Sequence, residues 1–280
     1  MMKFEKMHAA GNDYIYVNLF EERVEEPAAL SRKLSDRHFG VGGDGLVLIG
    51  PSEQGDFSMR MFNADGSEGL MCGNAARCVG KYLYERGLTT KREIALQTLS
   101  GIKQLQLTID SASNRVTQVR VDMGPALMDG ALIQPPQSLL PGMVDHPVET
   151  KDGVYPVTFV SMGNPHAVIF TDGIDTLNLA HIGPALEHHP LFPQRTNVEF
   201  VEVIAPDELR MRVWERGSGE TLACGSGACA VLVAAVLTGR ADPKALVHLR
   251  GGDLRVEWDR EQNSVFLTGD AHFVFKGEVN

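Results

Sequence analysis

Two cysteines stand at corresponding points of a stretch that this chain contains twice. Residues Met59 to Ala76 and Met211 to Ala228 align without a gap at an offset of 152 residues, with Met, Arg, Glu, Leu, Cys, Gly and Ala coinciding and an aromatic at the same place in each. Cys72 and Cys224 each precede a glycine, a run of small residues and an apolar segment with helical character. A cysteine so placed lies at a helix start, where the first backbone N–H groups have no partner within the helix and together carry roughly half a positive charge. Those groups favour a thiolate, lowering the cysteine pKa. They can also hold a carboxylate, which Gly73, Gly225 and Gly227 allow to come close. One such thiol suits a nucleophile. Two in related halves suit a pair of acid/bases facing one carbon, one removing a proton and the other returning one on the opposite side. That inverts a stereocentre without a cofactor, provided fixed donors stabilise the carbanionic transition state.

Other readings of the cysteines compete with this one. Cys78 and Cys229 fall within helices on apolar faces and read as core residues. The spacings Cys72-x5-Cys78 and Cys224-x4-Cys229 resemble a zinc site only loosely, and a helix interior is a poor place for a second ligand, so no metal is expected. A redox sensor or non-catalytic binding protein would also use paired thiols. Asn12, Asn63, Asn74, Asn164 and Asn197 lie in or beside turns, which asparagine tolerates. Taken together, with Asn12 and Asn164 matched by the repeat, they also form a set of donors for an amino-acid substrate. Glu215-Arg216 ends a strand and offers a bidentate clamp for a carboxylate with a partner for an ammonium. His166 could tune a nearby thiol. Gly40-x-Gly42-x-x-Gly45 matches a dinucleotide fingerprint by letter, but it precedes a strand, so nucleotide binding is discounted.

The elements that must place these groups follow the duplication. Residues 3–18 read as a strand, a Gly-Asn turn and a strand, Pro27 to Arg37 as a helix stopping by Gly40, and Phe57 to Asn63 as a strand. The segment after Cys72 reads as a helix stopped at Gly87, followed by strands at Ile94–Ser100, Ile102–Asp110 and Val116–Met123. Residues 125–150 carry five prolines and few periodic positions, and the connection between halves is expected near their start. The second half repeats the order: a strand through Gly163-Asn164, a polar helix around Leu177 to Glu187, strands near 197–204 and 208–215, and a helix after Cys224. This last helix is apolar on every side and must be buried all round. The formal net charge of −10 argues against general nucleic-acid binding. No apolar run reaches the roughly 18 residues a bilayer requires, and the first residues lack a signal peptide's apolar region, so no membrane association and a cytoplasmic location are expected.

The motif set closely resembles the diaminopimelate epimerase family, over nearly the whole chain. It runs Asn63-Ala64-Asp65-Gly66-Ser67 to Met71-Cys72-Gly73-Asn74-Ala75-Ala76-Arg77-Cys78, supported by Met7 to Asp13, Gly163-Asn164-Pro165-His166, Arg195-Thr196-Asn197-Val198, Trp214-Glu215-Arg216-Gly217 and Ala223-Cys224-Gly225-Ser226-Gly227. The resemblance implies an α+β fold of two pseudo-symmetric domains, each a mixed β-sheet wrapped around a central helix. These would be 1–121, completed by a strand in 270–280, and 122–269, with the active site in a cleft between them. It implies a cofactor-independent homodimer that converts LL- to meso-diaminopimelate for lysine and cell-wall synthesis, with Cys224 the base for the LL substrate and Cys72 the acid. Asn12, Asn63, Asn164, Asn197, Glu215 and Arg216 would hold the substrate's two ends, Gly73-Asn74 and Gly225-Ser226 would cradle the reacting carboxylate, and His166 and Glu215 would influence the thiols. A related racemase or isomerase acting on another substrate is the alternative. Some members of the family carry Gln where this chain has Gly45, and Ala9, Ala10 and Ala75 replace glycines common there.

Overall fold

Alternating apolar residues make strands of Met2–Ala9 (β1) and Asn12–Asn18 (β2), and Ala10 and Gly11, at φ of 51° and 80°, turn the chain tightly between them. The computed structural model describes residues 1–127 and 143–280. The chain continues as α1 (Pro27–Ser35), β3 (Gly45–Gly50), β4 (Phe57–Asn63), β5 (Glu68–Gly69), α2 (Gly73–Glu85), β6 (Glu93–Thr98), β7 (Gly101–Asp110) and β8 (Arg115–Gly124). Then come β9 (His146–Thr150), β10 (Gly153–Ser161), β11 (Pro165–Phe170), α3 (Leu179–Glu187), β12 (Asn197–Ala205), β13 (Glu208–Glu215) and β14 (Gly219–Thr221). The last elements are α4 (Gly225–Leu237), β15 (Lys244–Leu249), β16 (Gly252–Asp259), β17 (Ser264–Gly269) and β18 (His272–Val279). Two compact units result, one of Met1–Asp122 with Thr268–Asn280 and one of Met123–Leu267.

In the first unit β18, β1 and β2 are antiparallel, β2 and β3 parallel, and β3 and β4 antiparallel. Strand β4 then pairs with β5 on one stretch and in parallel with β6 on another, and β6, β7 and β8 close the order antiparallel. The second unit repeats this with β9, β10, β11, β12, β13, β14, β15 and β16. The register is duplicated as well. Tyr14 faces Gly45 as His166 faces Asn197, Leu46 faces Phe62 as Val198 faces Trp214, and Met61 faces Gly69 as Val213 faces Thr221. The ion pair Arg60–Glu68 at 2.6 Å recurs as Arg212–Glu220 at 2.9 Å. The sequence repeat is therefore a structural repeat, strand by strand.

Each sheet is covered on both faces. In the first unit Ile15, Val17, Leu46 and Leu48 pack with Leu34 of α1, while α2 lies against β1, β2, β4 and β7. In the second, Val198 and Phe200 pack with Leu179 and Leu186 of α3, while α4 lies against β10 to β13, β15 and β16. Burial on both faces is why β3 reads as an unbroken apolar run. Helix α4 is wrapped by its sheet: from Gly225 to Ala235 every residue but Ser226 is buried. Both central helices end on a glycine in the left-handed region, Gly87 at φ 74° and Gly239 at φ 70°, and in both the next N–H reaches back to a helical carbonyl, Leu88 to Leu83 and Arg240 to Ala235.

Two expectations change. The helix expected to be polar from Leu177 begins at Leu179 and is amphipathic, with Leu179 and Leu186 in the core. Gly163-Asn164 forms the turn between β10 and β11, not the interior of a strand. Strand β9 closes the proline-bearing stretch, anchored by the buried Val148, and residues 128–142 of that stretch fall outside the described residues. Among the described residues no helix is long and apolar enough to cross a membrane.

Candidate active site

Cys72 is the N-cap residue of α2 and Cys224 that of α4. Both have extended backbones, with φ and ψ of −138° and 120° at Cys72 and −123° and 111° at Cys224. In each the sulfur accepts the N–H three residues on, Ala75 at 3.5 Å and Gly227 at 3.4 Å. The short strand before each, β5 or β14, hangs from β4 or β13 and delivers the chain to the helix start. The repeat thus builds the same thiol-at-helix-start geometry twice.

Around Cys72 the first unit supplies amides. Asn12 Oδ1 accepts from the Cys72 thiol at 3.5 Å and from Asn74 Nδ2 at 3.2 Å. Asn12 Nδ2 donates to Asp44 Oδ2 at 2.7 Å, and Arg37 spans Asp13 and Asp44. Burial and then the neighbouring Asp13 charge push the Asp44 carboxyl up. Burial also pushes on Asp13, but hydrogen bonds from Arg37 and Lys6 hold it below the usual range. Asn63, at the end of β4, donates to Ser67 Oγ at 2.9 Å. Gly73 and Asn74 form the first turn of α2, and Asn74 is held by the fully buried Arg77 through a 2.9 Å bond to its Oδ1. Cys78 is a core thiol, as expected, and burial pushes it up to about 12.

Around Cys224 the second unit supplies carboxylates. Cys224 is 5% exposed, with Ser226 Oγ at 3.6 Å. Glu215 accepts from the Thr221 hydroxyl at 2.5 Å, and the Cys224 thiol beside it lowers its pKa against the rise from burial. His166 and Glu199 form a buried pair at 2.7 Å, and the other ring nitrogen of His166 meets Asn164 Oδ1 at 3.1 Å. Asn164 Nδ2 reaches Ser226 Oγ at 3.3 Å. Gly227 is required here: a Cβ on it would meet Glu199 Oε1 at 2.8 Å and the Cys224 side chain at 3.2 Å. Val47 stands at the position equivalent to Glu199, and there the first unit carries Ala75.

The expected lowering of the thiol by the helix start is reversed at Cys224. Burial, followed by the charges of Glu215 and Glu199, pushes this thiol well above its ordinary value, and the hydrogen bonds from Ser226 and the Gly227 N–H recover only part of it. Burial likewise raises Glu215. The surroundings of Cys224 therefore favour the thiol over the thiolate.

Asn197 and Arg216 are tied to the fold. Asn197 Nδ2 donates to Pro165 O at 2.9 Å and its Oδ1 receives the Arg216 N–H at 3.0 Å, so the amide is spent on the turn that presents Arg216. The exposed Arg216 guanidinium reaches Gln194 O at 3.2 Å. That turn is pinned again by Glu187, which accepts from Gly217 N at 2.9 Å and Trp214 Nε1 at 2.7 Å. Gly45 leaves no room for a side chain, because a Cβ would lie 2.0 Å from Phe62 O. Sequence reasoning missed Asp44 and Glu199. The one signal for Glu199 was a charge among apolar residues on β12.

The sequence model of the family described as Diaminopimelate epimerase matches residues 4–128 and 158–274. The diaminopimelate epimerase of Acetivibrio thermocellus is 57% identical over 279 residues, covering 100% of this chain and 99% of that protein. That of Methanococcus maripaludis strain C6 is 52% identical over 279 residues, covering 100% of both. Among solved structures, a PhzF-family phenazine biosynthesis protein of Bacillus anthracis aligns with a TM-score of 0.71 at 16% identity, covering 100% of this chain and 99% of that one. A probable proline racemase of Agrobacterium radiobacter aligns with a TM-score of 0.70 at 17% identity, covering 100% and 93%. These structural likenesses bear on the fold: α+β, with sheets wrapped on central helices.

Proposed function

The chain belongs to the diaminopimelate epimerase family, and from that premise we propose a two-thiol mechanism in which Cys224 and Cys72 exchange a proton with one substrate carbon. The activity is that of an isomerase, epimerising diaminopimelate in lysine biosynthesis. The observation that carries the mechanism is the duplication of a cysteine N-cap, with equivalent backbone angles and equivalent N–H contacts at both helix starts.

With the LL isomer, Cys224 is first relieved of its proton by Glu215, the carboxylate beside it. The thiolate then takes the α-proton, and the electron pair left on carbon delocalises into the adjacent carboxylate. The free N–H groups at Gly73-Asn74 and Gly225-Ser226 stabilise that charge. Cys72 delivers its S–H proton to the other face, giving the meso isomer with the charge now on Cys72. One proton leaves carbon and one arrives, so no oxidant or reductant takes part. Asn12, Asn63, Asn164 and Arg216 orient the substrate's ends, while Asn197 acts through the Arg216 turn. This reading includes a homodimer working in the cytoplasm on a small molecule, supported by family membership.

Cys72→Ala and Cys224→Ala each remove one of two proton-transfer groups, and inversion should fall by at least about 10²–10⁴-fold in either. Turnover near wild type in either folded variant would sink the mechanism.

A further inference from the structure

Asn12 touches three polar groups, and the direction of its amide decides what Cys72 meets. Its Nδ2 lies 2.7 Å from Asp44 Oδ2, and its Oδ1 lies 3.2 Å from Asn74 Nδ2 and 3.5 Å from Cys72 Sγ. An amide between neutral neighbours can turn over. This one is fixed from both ends, since a carboxylate only accepts and a guanidinium only donates. Asp44 must take an N–H from Asn12. Arg77 donates to Asn74 Oδ1 at 2.9 Å, so the Asn74 nitrogen must face Asn12. Together the two constraints put the Asn12 oxygen against the sulfur.

Both anchors are themselves held. Asp44 also receives the Asp13 N–H at 3.1 Å and Arg37 Nη2 at 2.9 Å. Arg77 is fully buried, donates through Nε to Asp270 O at 3.1 Å, and has no hydrogen-bond partner for Nη1 among the described residues. We propose that Asp44 and Arg77 are positioning residues: they fix an acceptor oxygen against Cys72 and so keep a proton on its sulfur in the resting enzyme. A carbonyl oxygen receives a hydrogen bond from a thiol and repels a thiolate.

The surrounding charges largely offset one another, and the Asn12 oxygen acts on the sulfur against the Ala75 N–H that reaches it at 3.5 Å. Lys6 and Arg37 offset Asp13 and Asp44, and Arg77 acts from behind Asn74. Burial pushes the Tyr16 hydroxyl and the Cys78 thiol up, and burial and then His272 push His8 down. Asp270 is paired with His272 at 3.0 Å. Asn164, the counterpart of Asn12, has no such anchors. Its partners, the Ser226 hydroxyl and a ring nitrogen of His166, can each donate or accept, and Thr196 and Cys229 stand at the positions equivalent to Asp44 and Arg77. The duplicated halves have thus diverged in polarity. The resting enzyme is set for the direction in which Cys72 gives up its proton.

The inference rests on Cys72 being a proton-transfer group, but its test requires no turnover. Reduced, folded protein is labelled with iodoacetamide across a pH series, and each cysteine is followed by peptide mass mapping. In Asp44→Asn the new amide can donate, Asn12 can present its N–H groups to the sulfur, and Cys72 labelling at neutral pH should rise about tenfold, its pH midpoint falling by about one unit, as expected for one hydrogen bond. Cys224 labelling should not change. Arg77→Lys keeps a donor at Asn74 and should leave Cys72 labelling near wild type. Unchanged Cys72 labelling in folded Asp44→Asn, or equal acceleration at Cys72 and Cys224, overturns the proposal. If Asp44→Asn does not fold, wild type decides. Cys72 labelling that climbs with pH through the neutral and alkaline range supports a resting thiol, and labelling already on its plateau at neutral pH overturns it. Absence of epimerisation by the wild-type protein would overturn the functional reading and leave the labelling result standing.

Discussion

Gly183→Ala sets two physical effects against each other at a point that governs the Glu215-Arg216 turn. Gly183 lies inside α3, where alanine is favoured over glycine by about 1 kcal/mol. On propensity alone the variant is stabilised. A Cβ at Gly183, however, would sit 2.5 Å from Cγ and Cδ2 of Trp214 and 2.9 Å from Cε3. Carbon atoms pack at about 3.5–4.0 Å, so the indole must move by roughly 1 Å. Gly219, at φ 77°, also lies beside the indole. A shift also strains the 2.7 Å bond from Trp214 Nε1 to Glu187. Overpacking costs about 1–3 kcal/mol, and a weakened hydrogen bond to a charged group adds a further share of about 1.5–3 kcal/mol, so the net result is destabilisation by about 1–4 kcal/mol. Denaturant midpoints at unchanged m measure it. Glu187 also anchors Gly217, so Arg216 is displaced and KM for diaminopimelate should rise more than kcat falls. A variant more stable than wild type, with KM unchanged, would refute the packing argument.

Gly45→Ala should be among the most damaging single-methyl additions in the chain, since its Cβ would lie 2.0 Å from a backbone oxygen of β4; normal yield and thermal stability of this variant would show that the β3–β4 ladder yields more easily than the geometry implies. For the same reason a glutamine there cannot supply a substrate contact on this backbone, and Gly45→Gln should lose activity through misfolding, visible by circular dichroism. Alkali should destabilise the fold through Cys78. Its folded pKa is raised, so the unfolded chain releases its proton first, and stability is complete below about pH 9 and declines up to about pH 12. Urea unfolding across that range should lose about 1.4 kcal/mol per pH unit from this group, and Cys78→Ala should flatten the slope by that amount; an unchanged slope would contradict the assignment.

The duplication was legible because the paired cysteines, their glycines and the Arg60–Glu68 and Arg212–Glu220 pairs are kept by the ladder and helix-start geometry they serve. The all-apolar α4 announced a wrapped central helix for the same reason: its composition leaves no face for water. What the sequence did not disclose depends on long-range contacts. Asp44 is 32 residues from Asn12, and Glu199 is 33 residues from His166; neither spacing has a local rule. The Cys224 shift was misjudged for a related reason. The helix start is visible in sequence, whereas the burial and the two carboxylates that outweigh it come from β12 and β13. Asn197 looked like a substrate donor because its turn context is shared by binding and structural asparagines, and only the bonds to Pro165 and Arg216 show it occupied.

The most direct test of the two-thiol account is incubation of the reduced protein with LL-diaminopimelate in D2O, following stereochemistry and α-deuterium in the same samples. The account predicts meso product carrying deuterium at the inverted carbon. Inversion without deuterium, or no inversion by protein shown to be folded and reduced, would contradict it.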